Sequence, residues 1–284
     1  MSTFQYVDVF SERPFLGNPV AVVMDTPDIS TDGLLRIAQW LNLSETTFLA
    51  PPRHPDADYR VRIFTLEREM PFAGHPTLGS AHAWLEAGGQ PKQHDVIVQE
   101  CGAGLVRVRR DSARLAFAAP PLVRSGAVDD DTLSDVSAVL NIDRREILAS
   151  QWCDNGPGWV AVLLDSAERV KRLQPRTSYP KRMEIGVLGP YPAGHDDAFE
   201  VRALFSDHVG ALREDPVTGS LNAAVSQWML ESQRITTPFR NRQGSQIGRD
   251  GVVHLSSDAA GTLWVGGATR TRMGGDLIVP DSLA

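Results

Sequence analysis

A chain of 284 residues can form one large or two medium-sized domains, and 42% hydrophobic with 22% charged residues is typical of a globular protein. No apolar run approaches the roughly 18 residues that a membrane-spanning helix needs, so we expect no membrane segment. The net charge of −7 and the scattered Lys and Arg residues argue against nucleic-acid binding.

Cysteine, histidine and glycine patterns exclude several further classes of site. The N-terminal sequence lacks the basic and apolar parts of an export signal, which predicts a cytoplasmic location. Cys101 and Cys153 are too few for a disulfide framework or a thiolate metal site. The seven histidines form no metal-binding motif, and no nucleotide-binding glycine motif is present. We therefore expect neither a metal nor another cofactor.

Alternating or β-branched segments predict a strand-rich protein. The predicted strands, in chain order, are 6–10, 20–24, 59–64, 95–99, 105–108, 114–117, 159–164, 199–204 and 252–255, with another beginning at Thr46. Helical spacing is rarer and predicts helices near 34–41 behind a Ser30 cap, 133–140 after an Asp run, and 166–173. The proline-rich stretch near residue 120 is the candidate linker between domains.

Two further helices, 76–87 and 216–231, are expected to begin at a proline and carry small residues on most of their faces. Such helices can be enclosed by a curled sheet. Their surroundings recur at an offset of 140 residues, which predicts a duplication and aligns His75 with Asp215. The recurring residues are Val61-Arg62, Pro76 and Gly79-Ser80, which return as Val201-Arg202, Pro216 and Gly219-Ser220.

The starts of these two helices are candidate anion sites. Unpaired N–H groups and the helix dipole favour a carboxylate there, and His75 could carry a proton or donate to a ligand. The alternatives stay open, because Asp215 before a proline is typical of a simple N-cap and His75 of an ordinary loop histidine.

Glu45 is the candidate general acid and base. It lies between an amphipathic helix and a strand, where most glutamates are simply solvated. Catalysis would require burial sufficient to lift its pKa from about 4.3 toward neutrality. Asn18 and Gln243 lie in segments whose sequences are typical of simple turns.

Five motifs in chain order resemble those of the PhzF-like phenazine-biosynthesis family over essentially the whole length. They are Gly17-Asn-Pro-Val-Ala-Val22, Asn42-Leu-Ser-Glu-Thr-Thr-Phe48, Met70-Pro-Phe-Ala-Gly-His-Pro-Thr77, Glu214-Asp-Pro-Val-Thr-Gly-Ser220 and Gln243-Gly244. The resemblance implies an α+β, diaminopimelate epimerase-like fold. Two pseudo-symmetric domains would each hold a curled, mostly antiparallel sheet around a central helix. We expect one at 1–118, completed by a strand near 270–284, and the other at 119–269.

The resemblance also implies site residues and a homodimer. Glu45, His75 and Asp215 would be catalytic, and the substrate would contact Asn18, Gly74, Thr77, Gly219, Ser220 and Gln243. The epimerases of this fold use two cysteines as bases, and here those columns hold Ala73-Gly74-His75 and Asp215. Two-base racemisation is therefore not expected.

The function implied is a cofactor-independent isomerase of a small amino or imino carboxylic acid, expected to be cyclic. It would be similar to trans-2,3-dihydro-3-hydroxyanthranilate isomerase, with Glu45 as the single acid and base. The family pattern Gly-Arg-Pro-Ser is replaced here by Gly248-Arg-Asp-Gly251, which leaves the exact substrate open. Two alternatives are a hydrolase that cleaves a C–C bond of a related acid, and a non-catalytic protein that binds a small acid.

Overall fold

The computed structural model describes residues 2–25, 29–110, 114–207 and 209–278. The chain divides into two compact units, one formed by residues 1–118 with 266–284 and the other by residues 119–265. Among the described residues, no helix is both long and apolar enough to cross a membrane.

The described residues of the first unit form two α-helices and nine strands. The helices are α1 (Thr31–Leu41) and α2 (Gly74–Glu86). The strands are β1 (Ser2–Val9), β2 (Asn18–Met24), β3 (Thr46–Ala50), β4 (Tyr59–Phe64), β5 (Glu69–Met70), β6 (Val96–Cys101), β7 (Gly104–Arg110), β8 (Leu115–Ala118) and β18 (Thr269–Leu277). Their order is β18-β1-β2-β3-β4-β6-β7-β8, with β5 paired to β4, and only β2–β3 and β4–β6 are parallel.

In the described part of the second unit there are three α-helices, α3 (Asp130–Leu140), α4 (Ala167–Lys171) and α5 (Gly219–Glu231). Its strands are β9 (Arg124–Gly126), β10 (Ala149–Asp154), β11 (Val160–Leu163), β12 (Glu184–Pro190), β13 (Phe199–Ser206), β14 (Leu212–Glu214), β15 (Phe239–Gln243), β16 (Gly251–Ser257) and β17 (Leu263–Gly267). The order is β9-β10-β11-β12-β13-β15-β16, with β14 paired to β13 and with β11–β12 and β13–β15 parallel. The unit boundary falls within β17.

Each unit encloses one central helix. In α2 and in α5, nine of the 13 residues are buried, and most of these are small or apolar. Helix α2 contacts β1, β2, β3, β6, β7, β8 and β18, so the first sheet curls around it. Helices that are apolar on nearly every face need this enclosure, because no side of them can face water at low cost. The predicted fold, a curled and mostly antiparallel sheet around a central helix, is confirmed.

The predicted strands and peripheral helices are confirmed with small boundary shifts. Ser30 caps α1 by accepting a hydrogen bond from Gly33 N, and Asp129 caps α3 in the same way. No strand was predicted at β5, β9, β10, β12, β14, β15 or β17. In β12, Gly186 and Gly189 break the strand pattern. A Cβ at Gly186 would lie 2.4 Å from Leu221 Cδ1, so this glycine lets α5 pack closely against the sheet.

The predicted starts of the central helices were wrong. Helix α2 begins two residues before Pro76, whereas α5 begins three residues after Pro216, behind the extended N-cap Thr218. The two helices have equal length and are related by an offset of 145 residues, not 140. Asp215 is therefore neither an N-cap nor the counterpart of His75, and Ser220 takes the second helical position that His75 occupies in α2.

An insertion explains why the sequence repeat changed register. Arg62 pairs with Glu69 between β4 and β5, and Arg202 pairs with Glu214 between β13 and β14. The arginines are 140 residues apart and the glutamates are 145 apart, so the second hairpin is five residues longer. The duplication is real in topology, but the later Pro and Gly-Ser identities were coincidental.

These two ion pairs provide a matched test of unit stability. The side chains of Arg202 and Glu214 are 6% and 8% exposed, against 25% and 38% for Arg62 and Glu69. Removing one partner of a buried pair leaves an unsatisfied charge and costs about 3–5 kcal/mol, whereas an exposed pair contributes about 0–1 kcal/mol. We expect Glu214→Gln to lower the free energy of unfolding by about 3 kcal/mol and Glu69→Gln by less than about 1 kcal/mol, measured by urea denaturation. Equal losses of unfolding free energy in the two variants would show that burial does not separate the two ion pairs.

Candidate functional site

Asn18 begins β2 and is held by the turn that precedes it. The carboxylate of Asp8 accepts hydrogen bonds from Phe15 N at 2.8 Å and Gly17 N at 2.9 Å, which closes this turn. A Cβ at Gly17 would lie 2.2 Å from Val9 O, so only glycine fits. The Gly-Asn-Pro motif is therefore a rigid turn that places a fully buried Asn18 side chain.

His75 is the second residue of α2 and is 5% exposed. Burial disfavours the charged ring and lowers the pKa of His75 to about 3, against a smaller opposing effect of a hydrogen bond to the Pro19 carbonyl. The imidazole is therefore neutral at physiological pH. It cannot act here as a cation that binds a carboxylate.

Glu45 lies directly before β3, after α1 ends at Asn42 in the left-handed conformation. Its Oε2 atom lies 3.4 Å from Nε2 of His75, and its side chain is 19% exposed. Glu45 and His75, which were both predicted to be site residues, are thus in direct contact. Their catalytic roles stay predictions. The carboxyl group is mostly withdrawn from water, but part of it is accessible.

The tautomer of His75 determines whether its Nε2 atom is a hydrogen-bond donor or an acceptor toward Glu45. Nδ1 lies 3.3 Å from Asn18 Nδ2, which can only donate, and the ring also bonds the Pro19 carbonyl, which can only accept. With its hydrogen on Nε2, the ring donates toward an ionised Glu45. With its hydrogen on Nδ1, Nε2 accepts from a protonated Glu45. The neutral ring therefore has a favourable tautomer for either form of the carboxyl group.

Thr77 lies two residues further along α2 and is fully buried. Its hydroxyl accepts a hydrogen bond from Gln99 Nε2 at 3.1 Å, and Gln99 Oε1 accepts one from Tyr59 OH at 2.9 Å. Thr77 thus joins the start of α2 to β6 and β4. A direct contact between Thr77 and substrate stays a prediction.

In the second unit, Gln243 holds the turn before α5. Its Oε1 accepts from Thr218 N at 3.0 Å and from Asn222 Nδ2 at 2.8 Å, and its Nε2 donates to Asp215 O at 3.1 Å. Gln243 is fully buried. The counterpart of Gln99 is Asn241, because each pairs with the equivalent strand residue and donates from its buried amide to the fourth residue of the central helix, Thr77 or Asn222.

Asp215 lies three residues before the N-cap of α5 and is half-buried. Its Oδ2 atom accepts a hydrogen bond from Thr218 Oγ1 at 2.5 Å, and Thr218 Oγ1 accepts one from Gln243 Nε2 at 2.9 Å. The carboxylate is thereby oriented by a chain of fixed donors.

Ser220 is half-buried and is the second residue of α5, after Gly219. Its hydroxyl accepts a hydrogen bond from Trp159 Nε1 at 3.1 Å, and its carbonyl accepts one from Asn155 Nδ2 at 2.9 Å. In the first unit, Gly74 and His75 occupy the equivalent positions of α2. The first turn of each helix also provides backbone N–H groups and the positive end of the helix dipole.

Comparison with known proteins identifies the family. The model of the family described as phenazine biosynthesis-like protein matches residues 7–276. The chain is 48% identical to the trans-2,3-dihydro-3-hydroxyanthranilate isomerase of Pseudomonas chlororaphis, with 91% of each chain covered. It is 35% identical to antisense-enhancing sequence 1 of Schizosaccharomyces pombe, with 96% of this chain and 97% of the relative covered.

The chain belongs to the phenazine biosynthesis-like, or PhzF, family. It is an isomerase of the PhzF type. The crystal structure of the PhzF-family protein of Bacillus anthracis agrees in fold, with a TM-score of 0.81 over 98% of this chain and 100% of that one at 19% identity. The diaminopimelate epimerase-like fold expected from the sequence is thus shown.

The PhzF motifs pointed to several residues at the starts of α2 and α5, but not to the residues that hold them in place by hydrogen bonds. The sequence reading missed Asp8, Thr218 and Asn222, together with Asn155 and Trp159. Asn155 was missed because its partner Ser220 is 65 residues away, and Asp8 because its bonds to the following turn leave no local motif in the sequence. Thr218 could have been found, since Asp-x-x-Thr before a helix is a spacing at which a carboxylate meets a hydroxyl.

The neutrality of His75 gives a direct test of this site. An imidazole in water titrates near pH 6.5, whereas burial keeps the His75 ring neutral until about pH 3. We expect the imidazole ¹⁵N resonances of His75, assigned by their loss in His75→Gln, to stay at neutral-ring values from pH 8 to pH 5. A titration midpoint between pH 6 and pH 7 would show that the ring is not desolvated as described.

Proposed function

We propose that this PhzF-family isomerase acts on a small cyclic amino or imino carboxylic acid of the trans-2,3-dihydro-3-hydroxyanthranilate type. Glu45 is the single acid and base of the reaction. The observation that carries the proposal is the contact of 3.4 Å between Glu45 Oε2 and Nε2 of the buried, neutral His75. A named relative that is 48% identical acts on that dihydro acid, which supports the substrate class.

The proposed chemistry needs no change in atomic composition. The carboxylate of Glu45 takes a proton from one carbon of the substrate and, as the carboxylic acid, returns a proton to another carbon of the same conjugated system. The double bonds move and the formula is unchanged. A general base must be accessible to its substrate without being fully solvated, and the partial exposure of Glu45 agrees with this requirement.

His75 supports both protonation states of Glu45. A cationic histidine would hold the carboxylate ionised and oppose its protonation. The neutral ring can instead donate to the carboxylate or accept from the acid by changing its tautomer. Asn18 holds the ring from the opposite side, so we assign it to the positioning of His75.

The start of α5 is the proposed binding group for the substrate carboxylate. Gly219 and Ser220 contribute backbone N–H groups at the positive end of the helix, and Ser220 adds a hydroxyl. Asp215, which is oriented by Thr218, is proposed to hold the amino or hydroxyl group of the substrate. Gly74 is assigned to substrate contact at the start of α2, and Gln243 to the support of Asp215 and Thr218.

The reaction can be tested in heavy water. We expect the protein to convert trans-2,3-dihydro-3-hydroxyanthranilate to an isomer that carries at most one deuterium at carbon and is not fragmented. The physical reason is that one carboxyl group handles one proton in each turnover. Mass spectrometry and proton NMR of the product provide the measurement, with a protein-free sample as control. Fragments of the substrate would indicate C–C hydrolysis, and an unchanged substrate would contradict the assignment.

The homodimer expected from the family and the cytoplasmic location expected from the N-terminal sequence stay predictions. Sedimentation equilibrium tests the first, because a dimer of this 31.0 kDa chain doubles the mass.

A further inference from the structure

The turn Asp154-Asn-Gly-Pro-Gly158 and the tryptophan that follows it lie against the start of α5. This segment joins β10 to β11, and the carboxylate of Asp154 closes it by accepting hydrogen bonds from Gly156 N at 2.7 Å and Gly158 N at 2.8 Å. Asn155 bonds the carbonyl of Ser220, and Trp159 bonds its hydroxyl. The turn is therefore fixed at both of its ends to one residue of α5.

The same arrangement occurs in the first unit with different side chains. There the carboxylate of Asp8 accepts from Gly17 N, the next residue is Asn18, and Asn18 contacts the second residue of α2, His75. In the second unit, the carboxylate of Asp154 accepts from Gly158 N, and the next residue is Trp159. Trp159 contacts Ser220, the second residue of α5. Trp159 thus makes in the second unit the kind of contact that Asn18 makes in the first, although the strand registers align Trp159 with Val20.

Trp159 restricts the chemistry of the Ser220 hydroxyl. The indole N–H can only donate, so Ser220 Oγ uses one of its lone pairs to accept it. Within the described residues, the Ser220 hydroxyl donates to no protein group, so its hydrogen remains for a ligand. Donation from the indole also polarises the O–H bond, which strengthens it as a donor.

We propose that Trp159 is a positioning residue that presets the Ser220 hydroxyl as a hydrogen-bond donor, so that the start of α5 selects a carboxylate over a neutral group. This inference rests on the proposed function, because Ser220 is the group assigned to the substrate carboxylate. Trp159 itself is 4% exposed and packs in the core with Leu221 and Val225. It acts through Ser220 and does not contact the substrate.

Binding of two nearly isosteric probes tests the proposal. Anthranilate carries a carboxylate, and anthranilamide carries a neutral amide in its place. Trp159→Phe keeps an aromatic ring and removes the N–H group. Trp228→Phe is the matched control, because Trp228 lies in the same core cluster with 5% exposure but nine residues along α5 from the first helical residue. Isothermal titration calorimetry gives the dissociation constants.

We expect Trp159→Phe to weaken anthranilate binding about fivefold to tenfold and anthranilamide binding no more than about twofold, since a hydrogen bond to a charged group is the stronger one. Trp228→Phe should change both constants less than about twofold. Ser220→Ala should weaken anthranilate binding at least as much as Trp159→Phe. In the Ser220→Ala background, Trp159→Phe should raise the dissociation constant of anthranilate by less than about twofold further, because the indole then has no hydroxyl to orient.

Three results would overturn the proposal. The first is a Trp159→Phe protein whose dissociation constants for both probes match those of Trp228→Phe. The second is a fivefold to tenfold further weakening of anthranilate binding when Trp159→Phe is added to Ser220→Ala, and the third is a wild-type protein that binds neither probe at millimolar concentration. If Trp159→Phe does not fold, replacement of Trp159 by benzothienylalanine removes the N–H group at unchanged ring volume and gives the same comparison.

The failure of this inference can be told apart from the failure of the proposed function. If the wild-type protein isomerises the dihydro acid and Trp159→Phe leaves its KM unchanged, the positioning role fails and the function stands. If no isomerisation occurs but anthranilate binding depends on Trp159, the isomerase assignment fails and the inference stands. A raised KM with an unchanged kcat in Trp159→Phe supports both the isomerase assignment and the positioning role of Trp159.

Discussion

The exclusion of water from His75 is the constraint on which the Glu45 site depends. A shift of its pKa from 6.5 to about 3 corresponds to about 5 kcal/mol against charging the ring. This cost makes the histidine a neutral partner of Glu45, able to donate or accept but not to hold the carboxylate ionised. The burial follows from the fold, because His75 lies in the first turn of a helix that the first sheet encloses.

Duplication followed by divergence accounts for the second unit. Both units use a carboxylate-closed turn, a parallel strand pair and a buried side-chain amide to fix the start of a central helix. The residues at the second helical position then differ, with His75 in one unit and Ser220 in the other. One unit is thereby suited to proton transfer beside Glu45. The other presents donors that suit a carboxylate.

Hydrophobic periodicity predicted most strands, and the motifs that resemble those of the PhzF family implied the fold class and the site residues Glu45 and His75. The contact between these two residues was not predicted. The start of α5 was not predicted either. Asp215 before Pro216 is a common helix start, but the Gln243 side chain captures Thr218 N and moves the cap three residues on. Such a bond joins residues 25 positions apart, so no local pattern reveals it. The contact between Trp159 and Ser220 was missed for the same reason.

The assignment of the proton transfer to Glu45 alone decides the proposed reaction. Its most direct test is the turnover of Glu45→Gln with trans-2,3-dihydro-3-hydroxyanthranilate, measured beside Glu69→Gln, whose glutamate forms an ion pair with Arg62. We expect Glu45→Gln to lose at least about a thousandfold in kcat, in the range of general acid–base effects, while anthranilate still binds within a few-fold of wild type. Glu69→Gln should keep its turnover. Undiminished turnover of Glu45→Gln would show that another group moves the proton.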